Sequence, residues 1–517
     1  MMHNLIKNWI HTLSVTGLIL SPIAAAQEAD TPLTASVTSA LPEIKAYAQE
    51  ALERTGFPGL ALVVVYQDEV VLMETLGVRK VGGDLPVTEN TVFQMASLSK
   101  PMTSTLLAVA VNQGLLGFND TVASHGVNLR LHDEWLTAHV TVADLLSHRS
   151  GLPGHAGDLL EDLGFSADVI LERIGLLEPG YPFRNGYDYT NFGFTAGGDA
   201  VANAAGMDFA TTAEGMLFQP LGMESTSFRF ADFESAKNRS AIHVKISDGS
   251  WEARYVRDPD AQAPAGGLST TIRDYANWMR MQLAEGTFDG EVIVAAEVLS
   301  ETWRPHSQSG YNADTYEASF YGLGWGVKHK PDAGLRISHA GAFELGVRTS
   351  VTLYPEIDLG IAVLTNGGGH GAPEAIGFAF DDMVFEGEVS RDWIGFANTM
   401  FAQLMSEFTQ YEVDVEEAPI DPAAAADFSR YEGIYSNDYF GPITVSMTEG
   451  VLELQMGPAE WRSPLQHWDG NAFLFQPVGE NAAGQGEVIF SLPDVGSASS
   501  LLIPFFNGEG MGTFSRE

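Results

Sequence analysis

The sequence predicts an α/β domain followed by a small all-β domain. Strand-like runs stand near both ends of the first region, at 60–76 and 335–365, with helical patterns and loops over about 95–290 between them. This arrangement favours a sheet that is closed by its two termini. Beyond an acidic, proline-containing stretch at 411–422, short β-like runs alternate with Gly, Asn and Asp, a spacing that is typical of a β-sandwich or barrel. The length of 517 residues also exceeds what one hydrophobic core usually organises.

The first 26 residues have the pattern of an export signal. Lys7 precedes an apolar stretch, and the small residues Ala24-Ala25-Ala26 form a typical cleavage site. Polar residues interrupt the stretch, which is shorter than the roughly 20 apolar residues of a membrane span. We therefore expect residues 1–26 to be removed, the mature protein to be periplasmic or secreted, and no membrane association after cleavage.

Local patterns place the elements of the first domain, which we predict to cover residues 27–390. Apolar residues at helical spacing predict a helix over 42–55 that stops at Gly56. A turn at Gln67-Asp68 is expected to join the first two strands. The strand patterns lie at 60–66, 70–76, 335–338, 349–354 and 359–365.

A helix and an acidic linker, residues 391–427, are predicted to connect the two domains. The linker prediction rests on the acidic residues and prolines that follow residue 411. One face of the helix is expected to carry the apolar residues Trp393, Ala397, Met400, Phe401, Leu404, Met405 and Phe408. The second domain, residues 428–517, has strand patterns at 443–447, 451–456, 473–477 and 487–491.

Composition excludes several classes of function. The formal net charge of −40 repels nucleic acid and anionic membranes, so we expect neither as a partner. The chain has no cysteine, which excludes disulfides, thiol catalysis and cysteine-bound zinc. It has no His-Glu-x-x-His motif, and its 13 histidines lack metal-ligand spacing. We expect no metal and no cofactor.

The chemistry that the sequence supports is nucleophilic catalysis by a serine. There is no Gly-x-Ser-x-Gly motif, so the usual α/β-hydrolase arrangement is unsupported. In Ser97-Leu98-Ser99-Lys100 a serine and a lysine stand three residues apart, so on a helix their side chains meet. A lysine in a semi-buried site loses its proton readily and then serves as a base for the hydroxyl. The helix is expected to be buried through Met102, Leu106 and Val109.

Five motifs carry a resemblance to a known family. They are, in chain order, Phe93–Pro101, Leu145–Pro153, Tyr187–Gly193, Ala265–Asp274 and Tyr321–Gly326. Through these motifs the chain resembles, over about residues 35–385, the family of class C β-lactamases, penicillin-binding-protein-like esterases and serine D-peptidases. The resemblance implies a β-lactamase-like α/β fold, which is an antiparallel sheet flanked by helices plus a helical subdomain. It also implies an acyl-enzyme mechanism.

Two of the family's motifs occur more than once in this chain. The Tyr-x-Asn motif is assigned to Tyr189-Thr190-Asn191, because a copy at Tyr275 lies in an amphipathic helix pattern and one at Tyr435 lies beyond the linker. His-Ala-Gly is assigned to His339-Ala340-Gly341 rather than to the copy at His155. A strand pattern precedes His339 and two strands follow it, as the family's third motif requires.

The resemblance implies a role for each motif residue. Ser97 attacks a carbonyl carbon, Lys100 accepts the proton, and Tyr189 moves a proton to the leaving group and later activates water. Asn191 hydrogen-bonds Lys100 or the substrate amide. The backbone N–H groups of Ser97 and Ala342 are expected to bind the oxyanion. Structural alternatives stay open for two of these residues: Tyr189 as a core tyrosine and Asn191 as a helix N-cap.

The third motif separates this chain from β-lactamases. Those enzymes generally have Lys-Thr-Gly where this chain has His-Ala-Gly, and a histidine that is mostly neutral at pH 7 attracts a substrate carboxylate less than a lysine does. His339 is grouped with the catalytic residues, and Gly341 is expected to leave room for substrate beside the strand. Arg348 is a candidate for the missing positive charge, or else a surface arginine at a strand end. Glu344 has no assigned role.

Four functions are compatible with these residues, and all of them take a small molecule or a short peptide. The first is hydrolysis of amide or peptide bonds in small peptides, including peptides with D-residues. A carboxylesterase of short acyl esters is nearly as well supported, because both reactions use one acyl-enzyme. A β-lactamase is less well supported because the lysine of the third motif is absent. A catalytically silent sensor of peptidoglycan fragments is disfavoured, since Ser97, Lys100 and Tyr189 are all present.

The C-terminal segment resembles a small lipocalin-like domain that is appended to some family members. The resemblance rests on Tyr431–Tyr435 and Gln466–Trp468. In relatives such a domain shapes substrate access or mediates oligomers, so a homo-oligomer is the one protein assembly that the sequence suggests. Nothing in its residues indicates chemistry of its own.

Overall fold

The computed structural model describes residues 32–313, 316–408, 411–415, 419–480, 482 and 484–517, without the side chains of 404–408. The predicted signal peptide, residues 1–26, lies outside the described residues. The α-helices are α1 (Pro32–Thr55), α2 (Ser99–Asn112), α3 (Glu134–His139), α4 (Val142–Leu146), α5 (Asp158–Asp162), α6 (Ala167–Arg173), α7 (Asn191–Ala205), α8 (Phe209–Ala213), α9 (Phe230–Ser235), α10 (Ala263–Gly266), α11 (Ile272–Leu283), α12 (Ala296–Leu299), α13 (Ala372–Phe385) and α14 (Trp393–Phe408).

The strands of the first domain form one large sheet and three short ribbons. They are β1 (Gly59–Tyr66), β2 (Glu69–Gly77), β3 (Val92–Gln94), β4 (Val244–Lys245), β5 (Trp251–Glu252), β6 (Ser269–Thr271), β7 (Thr287–Phe288), β8 (Glu291–Val292), β9 (Ser307–Asn312), β10 (Glu317–Tyr321), β11 (Gly326–Lys330), β12 (Gly334–Phe343), β13 (Val347–Tyr354) and β14 (Leu359–Thr365). The large sheet is antiparallel, in the order β2-β1-β14-β13-β12-β11-β10-β9.

The predicted closure of the sheet by its two termini is confirmed. β1 from the start of the domain pairs with β14 from its end, with Leu60 opposite Thr365. All eight residues of β1 are buried, because helices cover both faces of the sheet. Leu60, Leu62 and Val64 pack in one core with α1 and α13, whereas Ala61, Val63 and Val65 pack in the other core with α2 and α11. A strand that is buried on both faces needs an unbroken apolar run, which β1 has.

Several predicted elements differ from the structure in extent. The predicted helix at 42–55 begins ten residues earlier, at Pro32, and ends at Thr55 as expected, where Gly56 takes a positive φ of 73°. Strands β9, β10 and β11 were not predicted. Their sequences mix Ser, Gly, Lys and His with few apolar residues, so no alternation signal marks them.

The helix predicted before the linker is present as α14, but its buried face differs from the predicted one. Ile394, Ala397 and Phe401 are buried, whereas Met400 is 50% exposed. The prediction for Met400 was therefore wrong, because the apolar residues of this helix cover more than one face and the sequence does not say which face meets the core. The predicted positions Leu404, Met405 and Phe408 lie among the side chains that are not described.

The C-terminal strands form one nine-stranded antiparallel sheet that nearly closes on itself. They are β15 (Gly433–Asn437), β16 (Gly441–Thr448), β17 (Val451–Met456), β18 (Trp461–Pro464), β19 (Gln466–Asp469), β20 (Ala472–Phe475), β21 (Gly486–Ser491), β22 (Ser500–Leu502) and β23 (Thr513–Arg516). The two edge strands, β18 and β19, are separated only by Leu465. One bent segment thus pairs with β17 on one side and with β20 on the other.

The C-terminal domain packs against the helical part of the first domain. The Tyr439 hydroxyl accepts a hydrogen bond from the Gly157 N–H at 3.1 Å, and the Tyr439 carbonyl accepts one from Arg173 at 2.7 Å. The Glu480 N–H donates to Asp162 Oδ1 at 2.8 Å. The loop that carries Glu480 is therefore fixed beside α5, next to the site described below.

Candidate active site

Ser97 lies in a short 3₁₀ turn, Ala96–Leu98, that leads directly into α2. Ala96 adopts φ of 48°, a left-handed conformation that is uncommon for a residue other than glycine. The Ser99 side chain stabilises this turn, since its hydroxyl donates to the Ala96 carbonyl at 2.6 Å and accepts from the Leu268 N–H at 2.9 Å. The second serine of the motif thus holds the first one in place.

Gly341 on β12 allows the central sheet to approach this turn closely. A Cβ at position 341 would lie 2.5 Å from the Met95 carbonyl oxygen and 3.1 Å from the Ser97 nitrogen. Thr349 on the adjacent strand β13 donates a hydrogen bond to the same Met95 carbonyl at 2.9 Å. The sequence predicts room for substrate at Gly341, but in the structure the backbone of Met95–Ser97 occupies this space.

Lys100 is fully buried on the first turn of α2. Its Nζ lies 3.2 Å from Ser97 Oγ, 2.7 Å from Asn191 Oδ1 and 3.1 Å from the Ala265 carbonyl oxygen. Burial lowers the pKa of Lys100 to about 7, although the charge of Asp158 opposes this shift. About half of the molecules therefore carry a neutral lysine at pH 7.

The neutral form of Lys100 is oriented as a base toward Ser97. A neutral amine has two N–H bonds and one lone pair. Asn191 Oδ1 and the Ala265 carbonyl accept hydrogen bonds but cannot donate them in this arrangement, so they take the two N–H bonds. The lone pair then faces Ser97 Oγ, whose proton it can accept.

Asn191 and Tyr189 complete the surroundings of Lys100. Asn191 is the first residue of α7, but the N-cap is Thr190, so the alternative role as an N-cap is not observed. Its Nδ2 donates to Asp158 Oδ2 at 2.9 Å, which leaves Oδ1 for Lys100. The Tyr189 ring lies beneath Lys100, with Nζ 4.4 Å from its centroid. Tyr189 is half-buried and lines the cavity, unlike a core tyrosine.

Tyr189 is protonated at neutral pH. Burial raises the pKa of Tyr189 well above its ordinary value, although a hydrogen bond with Ser97 opposes the shift. At neutral pH the group is therefore a phenol. Its hydrogen bond with Ser97 connects it to the same oxygen that contacts Lys100, so a proton can pass between the three groups.

His339 is neutral because of its burial and its partners. Burial and the nearby charge of Lys100 lower the pKa of His339 to about 3. Its Nδ1 lies 2.7 Å from the Ala340 carbonyl oxygen and its Nε2 lies 2.8 Å from the Tyr321 hydroxyl. A carbonyl only accepts, so Nδ1 carries the proton and Nε2 accepts from Tyr321. This histidine is not a positively charged site for a substrate carboxylate.

The residues assigned from the motifs meet at one cavity of about 640 Å³, within the usual range for a small-molecule site. Its lining includes Ser97, Tyr189, Asn191, His339, Gly341, Ala342 and Arg348. Among the described strands, β11 pairs with β12 only as far as Ser338. The edge of β12 from His339 to Phe343 is therefore open on that side, where an extended substrate can pair with it.

Arg348 is in the cavity but its charge is already compensated. Its Nε and NH2 lie 2.9 Å and 2.6 Å from Glu374 Oε1, and its guanidinium lies 4.8 Å from the Phe401 ring centroid. Both donors share the single oxygen Oε1, and hydrogen bonds between two charged groups are stronger than neutral ones. A substrate carboxylate would have to compete with Glu374 for this arginine.

Sequence reasoning missed several cavity residues. His155, which belongs to the discarded copy of His-Ala-Gly, also lines the cavity, and its Nδ1 lies 2.9 Å from Asp158 Oδ2. Burial lowers the pKa of His155, but the hydrogen bond and charge of Asp158 outweigh it and raise the pKa overall. The three-residue spacing of His155 and Asp158 was the only local signal for this pair. Glu480 had no local signal at all.

His148 packs against Tyr189 and stabilises its position. It is fully buried, and its Nδ1 accepts from the Thr190 N–H at 3.2 Å. Its ring centroid lies 4.4 Å from that of Tyr189. In the part of the chain that the structure describes, no three His, Asp or Glu side chains form a group that could hold a metal ion. The same part contains no helix long and apolar enough to cross a membrane.

Comparison with known families agrees with this geometry. The model of the Beta-lactamase family matches residues 44–381, and the model of a domain of unknown function, DUF3471, matches residues 417–511. The first match covers more than half of the chain, so the chain belongs to the Beta-lactamase family. The lipocalin-like character of the C-terminal domain stays a prediction.

Individual relatives are distant in sequence. The Unguisins hydrolase ungD of Aspergillus violaceofuscus (strain CBS 115571) is 21% identical over 82% of this chain and 81% of its own length. Penicillin-binding protein 4* of Bacillus subtilis (strain 168) is 24% identical over 56% of this chain and 64% of its own length.

Solved structures share the fold of the chain. The octameric penicillin-binding protein homologue from Pyrococcus abyssi superposes with a TM-score of 0.58 at 19% identity, over 92% of this chain and 99% of that one. SurE superposes with a TM-score of 0.56 at 20% identity, over 93% of this chain and all of its own. At this identity the likeness concerns the fold.

Proposed function

We propose that this member of the Beta-lactamase family is an exported serine hydrolase that cleaves amide or peptide bonds in small peptides through a Ser97 acyl-enzyme. The observation that carries the proposal is the buried Lys100, whose Nζ lies 3.2 Å from Ser97 Oγ with two further acceptors on the other sides. A lysine with a pKa of about 7 has the protonation needed for a general base at neutral pH.

In the acylation step, Ser97 Oγ attacks the substrate carbonyl carbon while its proton passes to Lys100 Nζ. The carbonyl oxygen becomes an oxyanion, for which we assign the N–H groups of Ser97 and Ala342 as donors. The bond to the leaving nitrogen then breaks, and the nitrogen takes a proton from the Tyr189 phenol. Lys100 returns a proton to Tyr189 through the shared hydrogen bonds.

In the deacylation step, water attacks the acyl carbon and gives its proton to the neutral Lys100–Tyr189 pair. The ester bond to Ser97 breaks, and Ser97 Oγ regains a proton. Asn191 keeps Lys100 in place throughout, because its own amide is fixed by Asp158. The hydrogen bond between Tyr321 and His339 holds the wall of the cavity on which the substrate lies.

A carboxylesterase is the second candidate, and one observation favours it over a β-lactamase. His339 is neutral and Arg348 is paired with Glu374, so the motif positions offer no free cation for a substrate carboxylate. A neutral ester needs no such cation. The relative from Aspergillus violaceofuscus is an unguisins hydrolase, which is consistent with a hydrolytic function for this chain.

The proposal is tested with a panel of probes. We expect a fluorophosphonate to label the wild-type protein, and we expect turnover of amino-acid p-nitroanilides to exceed that of a chromogenic cephalosporin. A short p-nitrophenyl ester measures the esterase activity. Ser97→Ala should abolish labelling and turnover, whereas Ser235→Ala, at an exposed serine of α9, should leave both unchanged. Labelling that persists in Ser97→Ala contradicts the assignment of the nucleophile.

Export and assembly are separate parts of the proposal. N-terminal sequencing of the protein from a periplasmic or culture fraction should begin at Gln27 if residues 1–26 are a signal peptide. A homo-oligomer stays a proposal that mass photometry tests. The octamer named for the Pyrococcus abyssi homologue motivates this measurement.

A further inference from the structure

A second, smaller cavity of about 40 Å³ opens beside Ser97. It shares Ser97 and Ala342 with the main cavity. Three carboxylates line it, those of Asp158, Glu161 and Glu480; we call these three residues the carboxylate cluster. The volume is enough for a water-sized polar group, and any group bound there is close to the reacting carbonyl.

The cluster is assembled from both domains. Asp158 and Glu161 belong to α5 of the first domain, whereas Glu480 comes from the loop between β20 and β21 of the second. Glu480 Oε1 accepts a hydrogen bond from the Glu344 N–H, and the Glu480 N–H donates to Asp162. The C-terminal domain therefore supplies one wall of the cavity next to the nucleophile.

Arg257 is shared by the two glutamates of the cluster. Its NH2 lies 2.8 Å from Glu161 Oε2 and its Nε lies 3.3 Å from Glu480 Oε2. Its NH1 donates to the Asp258 carbonyl at 2.6 Å, and its Cζ lies 5.1 Å from the Phe343 ring centroid. Asp158 pairs instead with His155, so Arg257 balances only one of the two glutamates when both are ionised.

Two carboxylates of the cluster also have an oxygen without a hydrogen-bond partner among the described residues. These atoms are Asp158 Oδ1 and Glu161 Oε1, whereas Glu480 Oε2 has only its ion pair with Arg257. The side chains of Glu161 and Asp158 are only 7% and 8% exposed, so bulk water does not solvate them fully. Buried acceptors without donors are costly, and a ligand with several N–H donors and a positive charge removes this cost.

We propose that the small cavity binds a primary ammonium group on the acyl part of the substrate, so that the enzyme prefers amides and esters whose acyl group has a free amine near the scissile carbonyl. This inference rests on the proposed function, because it places the ammonium relative to the carbonyl that Ser97 attacks. The substrate class is the N-terminal residue of a short peptide or a related amino acyl derivative. An ammonium group has three donors, which can serve the unpartnered oxygens of Asp158 and Glu161.

The opposite reading, in which Arg257 binds a substrate carboxylate, fits the surroundings less well. Glu161 and Glu480 already contact this guanidinium, so an entering anion would have to displace them. A substrate ammonium instead favours the ionised form of these carboxyls and pairs with them, so binding is expected to favour the amine.

The burial of Glu161 and Glu480 is consistent with a binding site for a cation. It raises the pKa of Glu161 to about 7 and that of Glu480 to about 8, against the opposing charge of Arg257. These carboxyls therefore retain protons near neutral pH until a cation arrives. Binding of an ammonium should release protons, which calorimetry in buffers with different ionisation enthalpies detects.

The test compares substrates that differ only in the amine. Alanine p-nitroanilide, in both enantiomers, is compared with propionyl p-nitroanilide, which lacks the amine, and with N-acetylalanine p-nitroanilide. We expect kcat/KM for the better alanine enantiomer to exceed that of each comparison substrate by roughly 10- to 100-fold, as for a charge-assisted contact. Equal turnover of the three substrates, or a preference for the acetylated one, overturns the proposal.

Variants then test the cluster itself. Glu480→Gln and Glu161→Gln should each reduce the ratio of kcat/KM between alanine and propionyl p-nitroanilide by about tenfold. Glu453→Gln, at a carboxylate of the C-terminal domain that pairs with the exposed Arg462, changes the net charge equally and should keep the wild-type ratio. If both cavity variants keep the wild-type ratio of kcat/KM, the inference is contradicted. If only one of the two variants folds, its ratio alone decides the test.

Binding without turnover separates this inference from the proposed function. In Ser97→Ala, alanine amide should bind with proton release, and propionamide should bind more weakly. If the wild-type protein is not labelled by fluorophosphonate, the serine mechanism fails. If it is labelled but does not turn over alanine p-nitroanilide faster than propionyl p-nitroanilide, or if both cavity variants keep the wild-type ratio, the ammonium site fails while the mechanism stands.

Discussion

The carboxylate cluster and the residues proposed for catalysis around Ser97 lie on adjoining cavities, yet they differ in the charge that they offer to a substrate. Lys100, Tyr189 and His339 are kept neutral at or near pH 7 by burial. In the cluster, Glu161 and Glu480 pair with Arg257 and Asp158 pairs with His155, so its carboxyl groups are available to a cation. The first arrangement suits proton transfer, which needs groups that change charge easily. The second suits recognition of a fixed charge.

The two copies of His-Ala-Gly show the same contrast within identical tripeptides. His339 has a hydroxyl and a carbonyl as partners, and its pKa falls to about 3. His155 has the carboxylate of Asp158 as its partner, and its pKa is raised. The two pKa values therefore depend on burial and on charged residues outside the tripeptide, namely Lys100 for His339 and Asp158 for His155.

We expect the largest effect at Lys100, because the turnover of every substrate depends on this lysine. Lys100→Met should lower kcat/KM for amine and desamino substrates alike, by at least about 10³-fold. Lys45→Met, at an exposed lysine of α1, is the matched control and should keep wild-type rates. A loss that is confined to amine substrates would show that Lys100 acts on binding rather than as the base.

Tyr189→Phe should have the next largest effect, a loss of about 10²-fold or more in kcat. The phenol is needed to protonate the leaving nitrogen, so anilides should suffer more than p-nitrophenyl esters, whose leaving group needs no proton. Tyr275→Phe is the control from the other Tyr-x-Asn copy. Its hydroxyl is buried without a partner among the described residues, so its removal should keep full activity. Equal losses for esters and anilides would argue against the proton-donor role.

Gly341→Ala tests how closely the sheet approaches the nucleophile. The new Cβ would lie 2.5 Å from the Met95 carbonyl, so the turn at Ser97 has to move. A displacement of about 1 Å costs roughly 10²-fold in rate, and we expect a loss of this order for all substrates. Gly215→Ala, at an exposed glycine in the helical turn Glu214–Phe218 with nothing near its Cβ position, should keep activity and raise the melting temperature slightly. Wild-type rates in Gly341→Ala would refute the close contact.

We expect the smallest effect from Asp158, which belongs to the carboxylate cluster and also influences Lys100. The charge of Asp158 raises the pKa of Lys100, so Asp158→Asn should move the acidic limb of the pH–kcat/KM profile to lower pH. On the acidic limb, kcat/KM follows the fraction of protein with a neutral Lys100. Without the carboxylate of residue 158, Lys100 loses its proton more readily. Profiles for propionyl p-nitroanilide measure the shift without involving the amine. A shift to higher pH contradicts the assignment of this limb to Lys100.

The sequence identified residues that the structure brings together at one cavity, because each motif is local. The three-residue spacing of Ser97 and Lys100 survives although Ser97 lies on a 3₁₀ turn before α2. Met102, Leu106 and Val109 are buried as expected. The helix pattern around Tyr275 and the linker before Tyr435 left Tyr189 as the Tyr-x-Asn copy of the site.

Long-range features could not be predicted in the same way. Glu480 reaches the cavity from the other domain, and its partner Glu344 is 136 residues away in sequence. The ionic state of His339 depends on Tyr321, and the support of Ser97 depends on Leu268 and Gly341. Strands β9–β11 lack an apolar alternation. These features arise from tertiary packing, which a single sequence does not encode in any local pattern.

The rate of fluorophosphonate labelling as a function of pH tests the central claim most directly, because it measures the nucleophile before any leaving group matters. We expect peptide mapping to find the adduct on Ser97, and the rate to rise about tenfold per pH unit in acid and level off above a pKa of about 7. Labelling at another residue, or a rate that does not change between about pH 5.5 and 8.5, would contradict a Ser97 nucleophile activated by neutral Lys100.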